Sequence, residues 1–382
     1  PACQVSREYN VTLRLLENLH DINSRYLLVI SNPAISTFLL STILSETRQN
    51  FNLFIGSEFH DDHKSEEYSL KVLNKVQLHM EQGNILILNN LESVYPNLYD
   101  LFNQNFSVVG NKNYARLAVG STTNTFSYVN MNFRCIVNVD IEQIENEEAP
   151  FLNRFEKHIL SYEFLLCPAL IQESKKINEV LGALIKINTR IYKGINYDFS
   201  KLLINSSLEE IQGILYEASK RNVPIENMID EVLIRISLVL PQDIFFSFNH
   251  TNFFQKYPEV AQKIIEYYNR GEHTNIANFV KKLTCNKNVV YTFSHNLDGI
   301  ENIKNIDNPT YGHFERENIF QIEISSIKTE NELERQLDLF YCEDKYKLCL
   351  IKLRPYEGRF MNYLKFFIEY KERGFELNKN DQ

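Results

Sequence analysis

One stretch constrains this chain more than any other: residues 83–106, GNILILNNLESVYPNLYDLFNQNF. Ile85, Ile87 and the two leucines beside them form an unbroken apolar run between the turn residues Gly83-Asn84 and Asn89-Asn90. A run that short, apolar at every position and not at alternate ones, describes a strand covered on both faces, as in a parallel sheet clothed by helices. The polar residues beyond it, Asn89, Asn90 and Glu92, then lie at the carboxyl edge of the sheet, where such folds receive ligands. A helix follows near Tyr95-Pro96-Asn97, and Pro96 suits a first turn because its missing N–H would have no intrahelical partner there. In nucleoside triphosphatases an apolar strand of this kind ends in acids that hold magnesium and the attacking water. Here asparagines stand in that place.

The chain around this stretch repeats the pattern. Residues 26–30 (YLLVI), 51–55 (FNLFI) and 133–139 (FRCIVNV) read as further strands, with helices over 37–46 and 68–80 between them. After the first of these strands a phosphate loop would need glycines, so that backbone amides can wrap the phosphates, followed by Lys and Ser or Thr. The sequence offers Ser31-Asn32-Pro33-Ala34-Ile35-Ser36-Thr37, without glycine or lysine. The order of strand, loop and helix suits a phosphate loop; the chemistry does not. Residues 133–139 run into Asn138 and Asp140, a second polar end on the same edge. A polar residue here senses the γ-phosphate in oligomeric ATPases, and the plainer alternative is an Asx turn closing the strand. Asn89, Asn90 and Asn138 are thus candidate nucleotide-site positions of a degenerate kind. Between them, residues 108–110 and 115–120 read as a β-excursion with Lys112 and Arg116 at its solvent edges.

Composition narrows the function classes. Apolar residues make up 44 %, and 26 Phe and 21 Tyr supply ample core, which excludes a disordered chain. The net charge of -9, with no long Lys/Arg run, argues against nucleic acid as the main partner. No apolar run approaches the ~20 residues of a membrane span. The six cysteines are scattered without CxxC spacing, so neither a zinc site nor a disulfide framework is indicated, and reduced buried thiols in a cytosolic protein are expected. Between His60 and Glu67 histidines and carboxylates crowd together; a metal site is weighed against a solvated loop, and the loop is preferred. The chain begins at Pro1 without methionine and ends in a polar tail, and is read as a piece of something longer.

The second half reads as mostly helix over 161–285. Phe245, Phe246, Phe248, Phe253 and Phe254 cluster there near His250, a composition that suits packing between modules better than base stacking. From Lys287 strands alternate with helices again, over 289–293, 319–324 and 348–353, which indicates a second parallel sheet. Ser294, His295 and Asp298 stand too close on one loop to take triad geometry.

Pro150 starts a short helix whose Phe151, Leu152 and Phe155 bury one face, which leaves Arg154 directed elsewhere beside Asn153. In an ATPase ring an arginine at this place reaches into the neighbour's site and stabilises transition-state charge. The alternative is a surface pair with Glu156 or Glu147, worth little.

The runs NLESVYPNLYDLFNQNF, NFRCIVNVD and PFLNRFEKH, taken together, resemble the AAA+ core of the mysterin family, giant RING-finger ubiquitin ligases with six AAA+ modules in one polypeptide. The resemblance covers roughly residues 20–165 and continues more weakly to the end of the chain. It implies an α/β fold, an AAA+ type parallel sheet with a helical lid, followed by a second, truncated α/β module. The implied division is a degenerate core over 1–165, lid and linker over 166–286, and the start of a second degenerate module over 287–382. The missing phosphate loop and the Asn89-Asn90 pair imply a later, degenerate module, the fifth, with the start of the sixth.

On this resemblance the chain is a fragment of an AAA+ E3 ubiquitin-protein ligase, nucleotide-silent itself, with Arg154 given to an active neighbour as an arginine finger. ATP and Mg would belong to neighbouring modules and Zn to the parent's RING, with no cofactor or metal in this segment. Its partners would be the adjacent AAA modules of the same polypeptide and, for the parent, a ubiquitin-conjugating enzyme and ubiquitin. The implied setting is cytoplasmic, without nucleic acid. The Cys/His spacing of a RING is missing, so ubiquitin transfer is not located here. The alternative is a stand-alone ATPase with a divergent phosphate loop, in which Glu92 is the catalytic acid and Asn89 and Asn90 hold magnesium.

Overall fold

The computed structural model describes residues 11–119, 123–191, 208–221, 224–239, 258–270, 280, 281, 283, 287–292, 306–310, 312–353, 363–365, 367, 368 and 371. The phenylalanine cluster around His250 and the Ser294-His295-Asp298 loop lie outside the described residues. The chain divides into two units, Pro1–Leu165 and Leu166–Gln382.

The first unit is built on a five-stranded sheet. Its strands are β1 (Leu27–Ile30), β2 (Phe51–Ile55), β3 (Ile85–Asn89), β7 (Arg134–Val139) and β8 (Glu156–Ile159), in the spatial order β2-β3-β7-β1-β8, with every pairing parallel. The sequence explains the central strands. In β3 and β7 all positions are buried, as the apolar runs ILIL and CIV require, and the polar Asn89, Arg134 and Asn138 are buried with them. Helices α1 (Val11–His20), α2 (Pro33–Glu46) and α3 (Glu66–Gln82) lie between or before these strands. Helix α3 is bounded by chemistry legible in its ends. The Ser65 side chain accepts from the Tyr68 amide, Glu66 and Glu67 occupy the first turn, and Gly83 takes the left-handed conformation (φ 77°) that stops the helix.

Between β3 and β7 the chain makes an excursion. Residues Tyr95–Leu98 form a 3-10 turn, α4 (Tyr99–Phe102) continues it, and β4 (Ser107–Val109), β5 (Lys112–Val119) and β6 (Thr123–Val129) form an antiparallel sheet in the order β4-β5-β6. Strand β6 was not expected; its TNTFSYV opens with three polar residues, as a loop does. One face of this small sheet, Ala115, Leu117 and Val129, joins the main core. On the other face the Lys112 ammonium lies 5.3 Å from the Tyr128 ring centre, and Arg116 pairs with Asp100 at 2.9 Å. A last short helix, α5 (Ala149–Leu152), precedes β8.

The core on this side of the sheet is aromatic. Leu86, Leu88, Val137 and Val139 meet Tyr95, Phe102, Phe151 and Phe155. Tyr95 stacks on Phe151 at 5.5 Å, and Phe155 meets Phe102 at 5.0 Å and Phe151 at 5.3 Å. Contacts of this kind are worth ~0.5–1.5 kcal/mol each beyond buried area. They clamp α5 onto α4 and so fix where the residues just after α5 sit.

Arg134 ties the N-terminal helix to the sheet. Its guanidinium donates to the carbonyls of Asn18, Ser24 and Arg25 and to the Asn18 side chain, and rests 5.3 Å from the Tyr26 ring centre.

The second unit contains α6 (Pro168–Ile191), α7 (Leu208–Lys220), α8 (Ile225–Val239) and α9 (Pro258–Arg270). It also contains a parallel sheet in the order β12-β13-β9, made of β9 (Asn288–Thr292), β12 (Ile319–Glu323) and β13 (Leu348–Lys352). A hairpin of β10 (Ile306–Asn308) and β11 (Gly312–Phe314) and the helix α10 (Glu330–Cys342) complete it. The Lys287 ammonium donates to the carbonyls of Phe340, Glu343 and Tyr346 at 2.6, 2.7 and 2.8 Å, which caps the C-terminal end of α10 with a positive charge. Among the described cysteines Cys135 and Cys349 are buried, as expected, whereas Cys167 and Cys342 are exposed because both follow or end helices at the surface. No helix among the described residues is long and apolar enough to cross a membrane.

Candidate functional site

The crevice beyond the carboxyl ends of β1, β3 and β7 is the place where a parallel sheet of this order receives ligands. Its first wall is the connection from β1 to α2. Ile30 ends the strand and Pro33 begins the helix, so Ser31 and Asn32 are the whole of it. The helix starts four residues before the expected 37, because a proline at the first position forfeits no hydrogen bond. The Ser31 amide donates to the Val139 carbonyl at 3.1 Å, and the Ser36 amide already closes the first turn on the Asn32 carbonyl at 3.0 Å. The connection contains neither the glycines nor the lysine of a phosphate loop, and Pro33 has no amide N–H to offer.

The second wall is the pair of strand ends that lie side by side. Asn89 and Asn138 are register partners on β3 and β7. The Asn138 side-chain amide donates to Asn89 Oδ1 at 3.2 Å, and the Asn89 amide donates onward to Thr37 Oγ1 at 2.9 Å. Both asparagines are buried. Asn138 Oδ1 has no hydrogen-bond partner among the described residues. A polar chain therefore runs from β7 through β3 to α2.

Asn90 turns away from this floor. Its backbone takes the left-handed conformation (φ 56°), which Asn tolerates better than most residues, and its side-chain amide donates to Glu58 Oε1 at 3.0 Å. The chain end of β2 is packed hard against this bend. The Gly56 amide donates to the Asn89 carbonyl at 2.8 Å, and a Cβ added to Gly56 would lie 1.6 Å from the Asn90 carbonyl oxygen. Only glycine fits.

Glu92 reaches solvent, yet protein crowds its carboxyl. Loss of hydration first, then the negative charges of Glu147, Glu58 and Asp140, hold it above the usual carboxylate range. Glu147 is also raised, by burial and by Glu148 beside it. Glu58, Asp140 and Glu147 thus make the surroundings of Glu92 acidic.

Arg154 lies apart from the asparagine floor. It follows α5, and neither Glu147 nor Glu156 pairs with it among the described residues. Its guanidinium instead lies 3.8 Å from the Tyr99 ring centre, and its Nε donates to Asn103 Oδ1 at 2.9 Å. Nη1 is buried without a hydrogen-bond partner. The carbonyl of the preceding Asn153 accepts from Arg25 at 2.6 Å, which holds the turn from the other side.

The structure thus joins Asn89 to Asn138, sends Asn90 toward Glu58, groups Glu92 with other acids and sets Arg154 against α4. Sequence reasoning missed Glu58, Tyr99 and Asn103 and did not connect Thr37 to Asn89. A signal existed for one pair only, since Tyr99 and Asn103 are four apart and share a helical face. The His60 to Glu67 stretch is a structural loop. Asp62 is buried and accepts from Ser57 Oγ at 2.6 Å, and Lys64 lies 3.1 Å from His60. No group of three or more His, Cys, Asp and Glu among the described residues is placed to hold a metal.

Residues 16–166 match the profile of a protein family described as "RNF213 AAA domain". Over 149 residues, 38% of this chain, the chain is 33% identical to the E3 ubiquitin-protein ligase RNF213 of Homo sapiens. Over 161 residues, 41% of this chain, it is 32% identical to the mouse protein of that name. The match spans 3% of the length of either relative. Among solved structures a RuvB mutant of Thermotoga maritima is similar with a TM-score of 0.32 and 11% identity, covering 65% of this chain and 77% of that one.

Proposed function

We propose that residues 16–166, which match the profile of an RNF213 AAA domain, form a nucleotide-silent member of an ATPase ring. One observation carries the proposal: the two-residue connection from β1 to α2, closed beneath by the hydrogen bond from Asn89 to Thr37. A triphosphate finds no glycines and no lysine in that connection. Residues 166–286 are read as lid and linker and 287–382 as the start of a second degenerate module.

In this account the parent is a cytoplasmic E3 ubiquitin-protein ligase. It works with a ubiquitin-conjugating enzyme and ubiquitin, with ATP and Mg in neighbouring modules and Zn in its RING. The part played by this segment is architectural, with one chemical contribution. Arg154 reaches the active site of a neighbouring module and meets the charge that develops on the transferred phosphoryl group. The place of Arg154 just after α5, with no carboxylate paired to it among the described residues, supports this.

A second reading is favoured by one observation, the raised Glu92 carboxyl. A carboxylate pushed toward neutrality suits a general base in a stand-alone ATPase. The ATPase rate of a full-length protein carrying this segment separates the two. The first expects Arg154→Ala to lower turnover and Glu92→Gln to leave it unchanged. The second expects the reverse.

A further inference from the structure

We propose that the outer face of the β4-β5-β6 sheet is a platform for single-stranded nucleic acid, on which bases stack against aromatic rings while Lys112 and Arg116 meet phosphates. Alternation along each strand separates the two faces of the sheet. Ala115, Leu117 and Val129 point into the core. On the opposite face Tyr114 and Tyr128 are register partners, and Arg116 and Phe126 are partners in the next row. Val109 and Lys112 form the row on the other side. Phe126 is 63% exposed and Val109 66%. Tyr114 and Tyr128 are half-buried, with ring centres 6.0 Å apart. A single exposed apolar residue is ordinary on any surface. Three aromatic rings in adjoining positions of one open face are a stacking surface.

Charge selects the occupant. Residues 101–139 contain no Asp or Glu, in a chain that has 49 of them and a net charge of -9. All three strands of this sheet fall within that stretch, so no acid stands among its residues. The Lys112 ammonium lies 5.3 Å from the Tyr128 ring centre. Arg116 pairs at 2.9 Å with Asp100 of α4, outside the sheet, and the two side chains are 53% and 29% exposed. An ion pair this open to water is worth little, and a phosphate replaces the carboxylate at small cost. Cations set among open rings suit a ligand that carries anions and planar faces together. A single strand offers both; a duplex keeps its bases stacked inward. The negative charge of the whole chain supplies no long-range attraction. Binding is therefore short-range, with two or three stacked bases and two phosphate contacts.

The test is fluorescence anisotropy of the full chain with labelled oligo(U) and oligo(dT) of about ten nucleotides, at low salt, with a melting temperature for each variant. Saturable binding of either is expected, and the tighter of the two says whether RNA or DNA is taken. Phe126→Ser should weaken binding about tenfold, the worth of one stacked base, with the melting temperature kept because the ring lies mostly in solvent. Lys112→Gln and Arg116→Gln should each flatten the dependence of log K on log salt by about 0.7. Asp100→Asn releases Arg116 and should tighten binding about two- to fivefold. A duplex of the same length and a polyglutamate peptide should compete poorly. Absence of binding by both oligonucleotides overturns the inference. So does wild-type affinity in Phe126→Ser, or a loss that tracks the melting temperature. Displacement by polyglutamate as effective as by the unlabelled oligonucleotide also overturns it, and makes an acidic protein segment the occupant of this face.

Discussion

The Asn89 side-chain amide donates to the hydroxyl of Thr37 at 2.9 Å, joining the end of β3 to the first turns of α2. Asn138 continues the stitch by donating to Asn89 Oδ1. Replacing Asn89 by Leu removes the acceptor for Asn138 in a buried place. The expected cost is ~1–3 kcal/mol, the penalty of leaving a buried donor unmade. Urea unfolding of the purified chain, followed on the first transition, measures it. A change near zero would show that the stitch contributes nothing.

Gly56 makes the tightest backbone approach at this edge. Gly56→Ala brings a Cβ to within 1.6 Å of the Asn90 carbonyl oxygen unless the β2 end or the Asn90 bend shifts. Overpacking against backbone costs ~1–3 kcal/mol and often more. The variant should fold poorly, with a lowered melting temperature and reduced near-ultraviolet circular dichroism. A wild-type melt would mean that the bend after β3 is soft.

Glu92 gives a pH signature. Its folded carboxyl is held above the ordinary value of 4.5, so the folded state binds its proton more tightly than the unfolded chain. Below that ordinary value both states are protonated and the group favours neither; as pH rises through the window above it, the folded state loses stability. Glu92→Gln should therefore melt higher than wild type near neutral pH, with the gap closing as pH falls toward 4.5. Paired thermal melts across this range decide it. A Gln variant that is less stable at neutral pH would show that the carboxylate has a favourable partner.

Lys287 lies in the second unit. Its ammonium fills the space among three carbonyls at the end of α10. Lys287→Met keeps the length of the chain and removes the charge and the donors. Hydrogen bonds from charged groups are worth ~1.5–3 kcal/mol. Hydrogen exchange at the amides of α10 should accelerate in the variant while the amides of β3 and β7 keep their protection. Unchanged exchange in α10 would remove the capping role.

Much of the first unit was legible because its strands carry continuous apolar runs. LLVI and ILIL admit few other readings once turn residues bound them, and Ser65 and Gly83 mark the ends of α3 by well-understood cap chemistry. What stayed hidden depends on distance along the chain. Asn89 meets Thr37 across 52 residues and Arg154 meets Asn103 across 51, so neither pairing has a local pattern. The Arg154 contacts differ from the two carboxylate pairs that spacing suggested, because the aromatic packing of Phe151 and Phe155 turns α5 toward α4. Strand β6 stayed hidden for another reason. Its outward residues face solvent beside β5, and half of its pattern is polar.

Whether this segment binds nucleotide is decided by isothermal titration calorimetry of the purified chain with ATP and magnesium at millimolar concentration. A nucleotide-silent segment gives heats indistinguishable from dilution at every temperature tried. A saturable isotherm would contradict that reading, and would mean that Ser31, Asn32 and the N-terminal end of α2 accept a triphosphate despite the closed Asn89 to Thr37 contact.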